Sequence, residues 1–488
     1  MSILHRVAAA VAAAALASAG LAASAVPAVA AVPAVNCTRQ DPDPSALWVV
    51  VGEPDYPNDG AVQVTTSVGS VRITAEQLGW SDRRGGFGRA ATSGLVNDDN
   101  CTDLVVTAES GAGEGSVYVV LGDDRGPDVK AAYRLDAPAG AGESWGTTVT
   151  LLTAPHLIAV SAPATALAPN AGGAVVLYPL SPDGSAGSPA ILTQDTPGVP
   201  GASEAGDEFG AAMAALPAQN PQGLVIGAPG EAVGTRKAAG AVTLLHFTGT
   251  DLAFTAQSFT QDSVGFPTAA EVGDRFGFSV DSVWRYVAVG VPGETLGSDR
   301  GTGMVTVLDL DSATSTRPVR VRGLSQNSRG IPGNNESGDH WGFTVAFSGN
   351  NPTGCSGGGM ELGVGAPFED VGSSKDAGTV TVLAATGKCA RPVLRQGAAP
   401  VGGAAEGGDY FGYSLSARPD PDAKEEDADN GWIVGVPGED VDGKANAGYV
   451  YVLQLGWSGT SDDRRTVIAP VGGPMAEAAF GLVLGSIG

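Results

Sequence analysis

Short runs of alternating apolar and polar residues, bounded by Gly or Pro, recur along almost the whole chain. Tyr286-Val287-Ala288-Val289-Gly290 is one such run and Gly303-Met304-Val305-Thr306-Val307-Leu308 another. Alternation with a period of two, rich in β-branched residues, predicts strands. No amphipathic helical stretch stands out beyond residue 30. The runs follow a fixed order with a period of about 65 residues. A short strand follows an aromatic–Gly pair, as in Phe276-Gly277-Phe278-Ser279-Val280. An apolar strand then runs into a Gly-Ala-Pro-like tripeptide, a third strand alternates, and a fourth, such as residues 316–321, is more polar. Four strands per repeat, innermost apolar and outermost polar, describe a propeller blade. No such blade buries both faces alone, so neighbours must stack.

The aromatic–Gly pairs begin at Phe87, Trp145, Phe209, Phe276, Trp341, Phe411 and Phe480. The tripeptides begin at Gly52, Ala108, Ser161, Gly227, Gly290, Gly365 and Gly435. The first tripeptide has no aromatic before it, and the last aromatic has no tripeptide after it. Residues 47–52, 61–66 and 71–75 therefore read as three strands of a blade without its inner strand, which residues 480–485 supply. Closing a ring within one blade pairs edges that would otherwise stand open. The expectation is an all-β, seven-bladed β-propeller of four-stranded antiparallel blades, closed by a C-terminal strand joining the N-terminal blade. The aromatic wedges between blades, and its glycine lets backbones approach.

These repeats resemble the FG-GAP family, the repeat of the integrin alpha-subunit N-terminal propeller. Residues 206–230 and 408–437 carry the pattern most fully, and the resemblance extends from about residue 51 to the end. It implies an extracellular binding or adhesion scaffold. Integrin alpha chains carry further extracellular domains and a membrane span, which this sequence does not show, so receptor signalling is not carried over. The family's calcium loop takes oxygens at positions 1, 3, 5 and 9 and a backbone carbonyl at position 7. Asn97, Asp99 and Asp103 match positions 3, 5 and 9, and Cys101 offers its carbonyl. Leu95 stands where an Asp is expected, so the resemblance implies a weakened calcium site. An Asx-rich turn is the plainer reading of the same residues.

Charge narrows the partners. The chain has 52 acidic against 27 basic residues, a net charge of -25. Nucleic acid and anionic membranes need Lys and Arg to displace counterions, so both are excluded as expected partners. Two acidic series recur. Asp207, Asp274, Asp339 and Asp409 stand two residues before an aromatic, and Glu231, Glu294, Glu369 and Glu439 two residues after a tripeptide Pro. In a propeller the loops holding both series share one face, so they form an acidic rim. Each Asp either caps its turn through backbone N–H groups or offers the rim to a cation or ligand.

His5 and Arg6 precede an Ala, Val and Leu run with small residues at 23–25 and 28–30. That is the pattern of a secretory signal over residues 1–30, cleaved near 25–31. The mature domain then spans 37–488, and the protein is expected to be secreted, monomeric and without a membrane span. An exported chain with four cysteines is expected to pair them. Three connectivities are open for Cys37, Cys101, Cys355 and Cys389, and shared loop faces favour Cys37–Cys101 and Cys355–Cys389.

No catalytic constellation stands out. His156, His246 and His340 lie in different repeats without metal-ligand spacing. No Gly-x-Ser-x-Gly turn is placed on a strand-to-helix junction. The expectation is a non-enzymatic chain that binds an extracellular protein or glycan. A carbohydrate-binding propeller is the first alternative, and Trp80, Trp284, Trp432 and Trp457 argue against a symmetric lectin because they share no repeat position. A polysaccharide-acting enzyme is the second; Arg236 and Lys237 near Glu231 mark where to look.

Overall fold

The structure is a computed structural model. It describes residues 49–487 except 55–59, 67–68, 81–85, 109–114, 217–221, 250–251, 313–314, 352–358, 419–430, 456–463 and 476–478. The signal segment, Cys37, Cys355 and Trp457 lie outside the described residues. Among the described residues seven sheets follow one another along the chain, antiparallel except for one terminal pair. Blade 4 shows the plan: Ala212–Leu216 innermost, then Gly223–Ala228, Ala241–Phe247 and Phe254–Phe259. Blade 5 repeats it with Ser279–Val283, Tyr286–Val291, Met304–Leu310 and Pro318–Leu324. Its outermost strand is the one with exposed positions, as its polar sequence requires. Blade 6 departs from the plan. Among the described residues it has three strands, and isolated bridges Val380–Leu394 and Leu383–Ala390 stand where the fourth would be. Among the described residues no helix is long and apolar enough to cross a membrane.

The core is a set of clusters between neighbouring blades, and each holds one aromatic of the repeated pair. Phe276 packs with Val225 and Val242 of blade 4 and Val287 and Val289 of blade 5. Trp145, Phe209, Phe276, Trp341, Phe411 and Phe480 are fully buried, and Phe87 nearly so. Burying such a ring contributes about 2–3 kcal/mol, and here each ring serves two blades at once. The following glycine sets the spacing. Gly342 has φ +93, and its carbonyl oxygen would lie 2.1 Å from a Cβ on Gly290 of the preceding blade. Only two glycines permit that approach. Ser279 Oγ donates to the same Gly342 oxygen at 2.9 Å, and Ser414 Oγ donates to Gly481 O at 2.6 Å.

The ring closes as the offset between the two repeated motifs predicts. Val483–Leu484 lies antiparallel beside Val49–Glu53, pairing Val51 with Leu484 and Gly52 with Val483. The sheet order is Val483–Leu484, Val49–Glu53, Ala61–Thr66, Gly69–Ile73. Gln63 fastens the same seam farther out. Its Nε2 donates to Ala469 O at 3.1 Å, and its Oε1 accepts from Val471 N at 2.7 Å. The last strand, Ser486–Ile487, pairs in parallel with Thr92 and Ser93 of blade 2, which the repeat pattern did not indicate.

Candidate functional site

Loops that enter the innermost strands and loops that join second to third strands emerge at one end of the ring. Both acidic series lie there. Asp207, Asp274, Asp339 and Asp409 are buried, at 1–4% exposure. Each turns Oδ2 to the backbone N–H three residues earlier, on Glu204, Glu271, Glu336 and Glu406 respectively. The capping role therefore holds for all four. Their own carbonyls reach the second series: Gly230, Gly293 and Gly438 donate to Asp207, Asp274 and Asp409.

The Glu series bridges blades. Gln194 Nε2 donates to Glu231 Oε2 at 2.6 Å, and Gln326 Nε2 to Glu369 Oε2 at 2.6 Å. Gln261 and Gln396 do the same to Glu294 and Glu439. Every Gln sits in the loop leaving one blade, and every Glu in the next blade. The sequence reading missed these glutamines, although a signal exists: each stands thirteen residues before its Asp. Each junction thus gathers a Gln, a Glu and an Asp. Burial pushes the Glu294 carboxyl up to about 8, and Asp274 beside it adds to the rise. Burial likewise raises Glu231 and Glu439 to about 7. Asp339 is raised to about 7 by burial and then by Glu369, to which it is hydrogen-bonded.

A second feature of this face comes from the residue after each aromatic–Gly pair. It is Arg89, Thr147 and Ala211 in blades 2–4, but Phe278, Phe343 and Tyr413 in blades 5–7. These three rings form a chain at the start of the innermost strands, where blades meet around the axis. Phe278 and Phe343 lie 5.0 Å apart, as do Phe343 and Tyr413. Phe368, just after the blade 6 tripeptide, contacts Phe343 at 5.4 Å and Tyr410 at 5.7 Å. His340 lies edge-on to Phe368 at 5.4 Å. Arg275 stacks over Phe278 at 5.3 Å and pairs with Glu208 across the junction at 2.7 Å. All these rings are half-buried. The aromatics considered from sequence fall elsewhere: Trp432 is core, Trp80 packs on Tyr118, and Trp284 is exposed on a hairpin at the other end.

The 97–103 loop is closed by its own groups. Asp103 is fully buried; its Oδ2 accepts from Val96 N and Asn97 N, and its Oδ1 from Gly122 N. Asp99 Oδ1 accepts from Cys101 N and its Oδ2 from Asn97 Nδ2. Asn97 Oδ1 accepts from Asp99 N. Every side-chain oxygen of the three is turned to an N–H of this protein, which is the Asx-turn arrangement. A calcium shell of roughly six to eight free oxygens does not fit this donor set.

Among the described residues no cysteine is free. The connectivity expected with Cys37 and Cys355 falls on residues outside those described. The three histidines stay apart. His156 Nε2 meets Leu95 O at 3.0 Å, His340 Nδ1 meets Pro292 O at 2.8 Å, and His246 is buried, with its pKa lowered by that burial. Arg236 pairs with Asp262 rather than Glu231. Among the described residues no group of three or more His, Cys, Asp or Glu side chains converges to hold a metal.

No family model and no curated protein matches the chain. Solved propellers do. One is a candidate 6-phosphogluconolactonase from Bacteroides uniformis, 9% identical, covering 87% of this chain and 96% of its own, with a TM-score of 0.47. Another is the periplasmic gluconolactonase of Pseudomonas aeruginosa, 13% identical, covering 86% and 98%, with a TM-score of 0.40. At such identities the likeness extends to the fold alone. Both proteins are nevertheless named for an enzymatic activity. The expectation of a non-enzymatic chain is corrected to an open one, because a propeller without a legible catalytic motif is no ground for it.

Proposed function

We propose that this chain is an exported FG-GAP-type propeller that binds an extracellular partner with the face holding the acidic junctions, centred on the aromatic rings of blades 5–7. The observation that carries the reading is the chain of touching, half-buried rings from Phe278 through Phe343 to Tyr413. The aromatic and glycine of each pair are packing devices, but the residue after them varies, and it turns aromatic in three consecutive blades. Rings that keep an open face beside carboxylates give a partner both apolar contact and hydrogen-bond acceptors. That neither Cys101 nor Cys389 is a free thiol supports an oxidising compartment, and with it export.

Carbohydrate is the second reading, favoured by the same rings. A pyranose lays its C–H face on an aromatic ring and turns its hydroxyls to flanking acceptors. The rings now recur at one repeat position, but in one sector only, so a single asymmetric site is implied. A glycan and protein array probed with the full chain tests both readings. The expected result is capture of one ligand class, weakened at least about tenfold by Tyr410→Ala with Tyr413→Ala at unchanged melting temperature. Capture that both substitutions leave intact would reject this face.

A further inference from the structure

The junction between blades 4 and 5 holds an amide whose donors are spent and whose acceptor is not. Gln261 is 2% exposed. Its Nε2 donates to Glu294 Oε2 and to Thr268 Oγ1, the latter at 3.0 Å. Its Oε1 is buried without a donor. That oxygen belongs to the same amide that donates to the Glu294 carboxylate. Asp274, 1% exposed, contributes a second buried oxygen without a donor, Oδ1. The guanidinium of Arg236 pairs with Asp262 and also attracts Asp274. Buried oxygens without a donor are unfavourable, and native proteins leave few of them.

The arrangement is repeated. Gln194, Gln326 and Gln396 are each at most 4% exposed, each donates to its Glu, and each has a buried Oε1 without a donor. A packing accident would strike one junction, whereas this feature marks four successive ones. We propose that each of these junctions binds a hard divalent cation of the calcium class between the Gln carbonyl oxygen, the Glu carboxylate and the Asp carboxylate. The donor set is all oxygen, as such ions require, and two carboxylates balance a double positive charge. The ion joins an oxygen from one blade to two from the next, so it is a fastener between blades. These positions are separate from the 97–103 loop, whose oxygens are already engaged.

The test uses the full chain, stripped with a chelator and titrated with calcium chloride by calorimetry, with terbium as a luminescent probe. The expected result is about four ions per chain and a melting temperature raised by about 5 °C or more in calcium. Gln261→Met should lower the stoichiometry by one, and Asp99→Ala should leave it unchanged. The wild-type stoichiometry stands whether or not a variant folds. A titration without heat, luminescence or a melting shift would overturn the proposal, and so would an ion that disappears in Asp99→Ala.

Discussion

A fully buried carboxylate in the seam blade shows how single residues carry this fold. Glu53 is 0% exposed, and Arg72 grips both its oxygens at 3.0 Å. Burial raises the Glu53 pKa more than Arg72 lowers it. A raised carboxyl stabilises the fold below its unfolded value and loses that contribution as pH rises through the folded one. Removing Arg72 raises Glu53 further and leaves a buried charge alone. Arg72→Met should therefore cost about 3 kcal/mol near neutral pH and less at acidic pH, by urea unfolding. An equal loss at both would mean that Arg72 acts by packing alone. At this scale the sequence was legible where a residue repeats with its neighbours. The Asp caps follow from their place before the aromatic, and their carboxylates do what such a spacing suggests. The glutamines escaped because their partners lie in the next blade, 33 to 43 residues away, and only their constant spacing of thirteen residues before each Asp marks them.

Strands were the most readable level. Period-two runs and Gly-rich breaks mark them, and the inner strand supplied from the far end lies where the offset places it. The last strand was not legible. Ser486–Ile487 is too short to show a period, and its parallel partner in blade 2 is distant in sequence. The fourth position of blade 6 was over-read for a related reason: its run pairs only at isolated bridges. Removing residues 482–488 takes away both terminal strands and leaves Val49–Glu53 an open edge. The truncated chain should lose on the order of 3 kcal/mol in urea unfolding and unfold in one transition with the rest. An unchanged midpoint would mean that the seam is held by Gln63 and Phe480 without the strand.

The whole molecule is a ring whose packing is nearly uniform and whose surface is not. Seven interblade clusters repeat one solution, so they identify the architecture and say little about purpose. The proposed partner face lies where the repeat is broken: Arg89, Thr147 and Ala211 on one side of the axis, and Phe278, Phe343 and Tyr413 on the other. That break was visible in the sequence, but its meaning needed the rings to be seen touching. A search confined to tryptophans looked past it. Hydrogen–deuterium exchange of the full chain, with and without the ligand class captured on the array, tests this most directly. The account predicts added protection at residues 276–278, 341–343 and 408–413, with the opposite end of the ring unchanged. Protection confined to the opposite end, around Trp284 and the 97–103 loop, would contradict it.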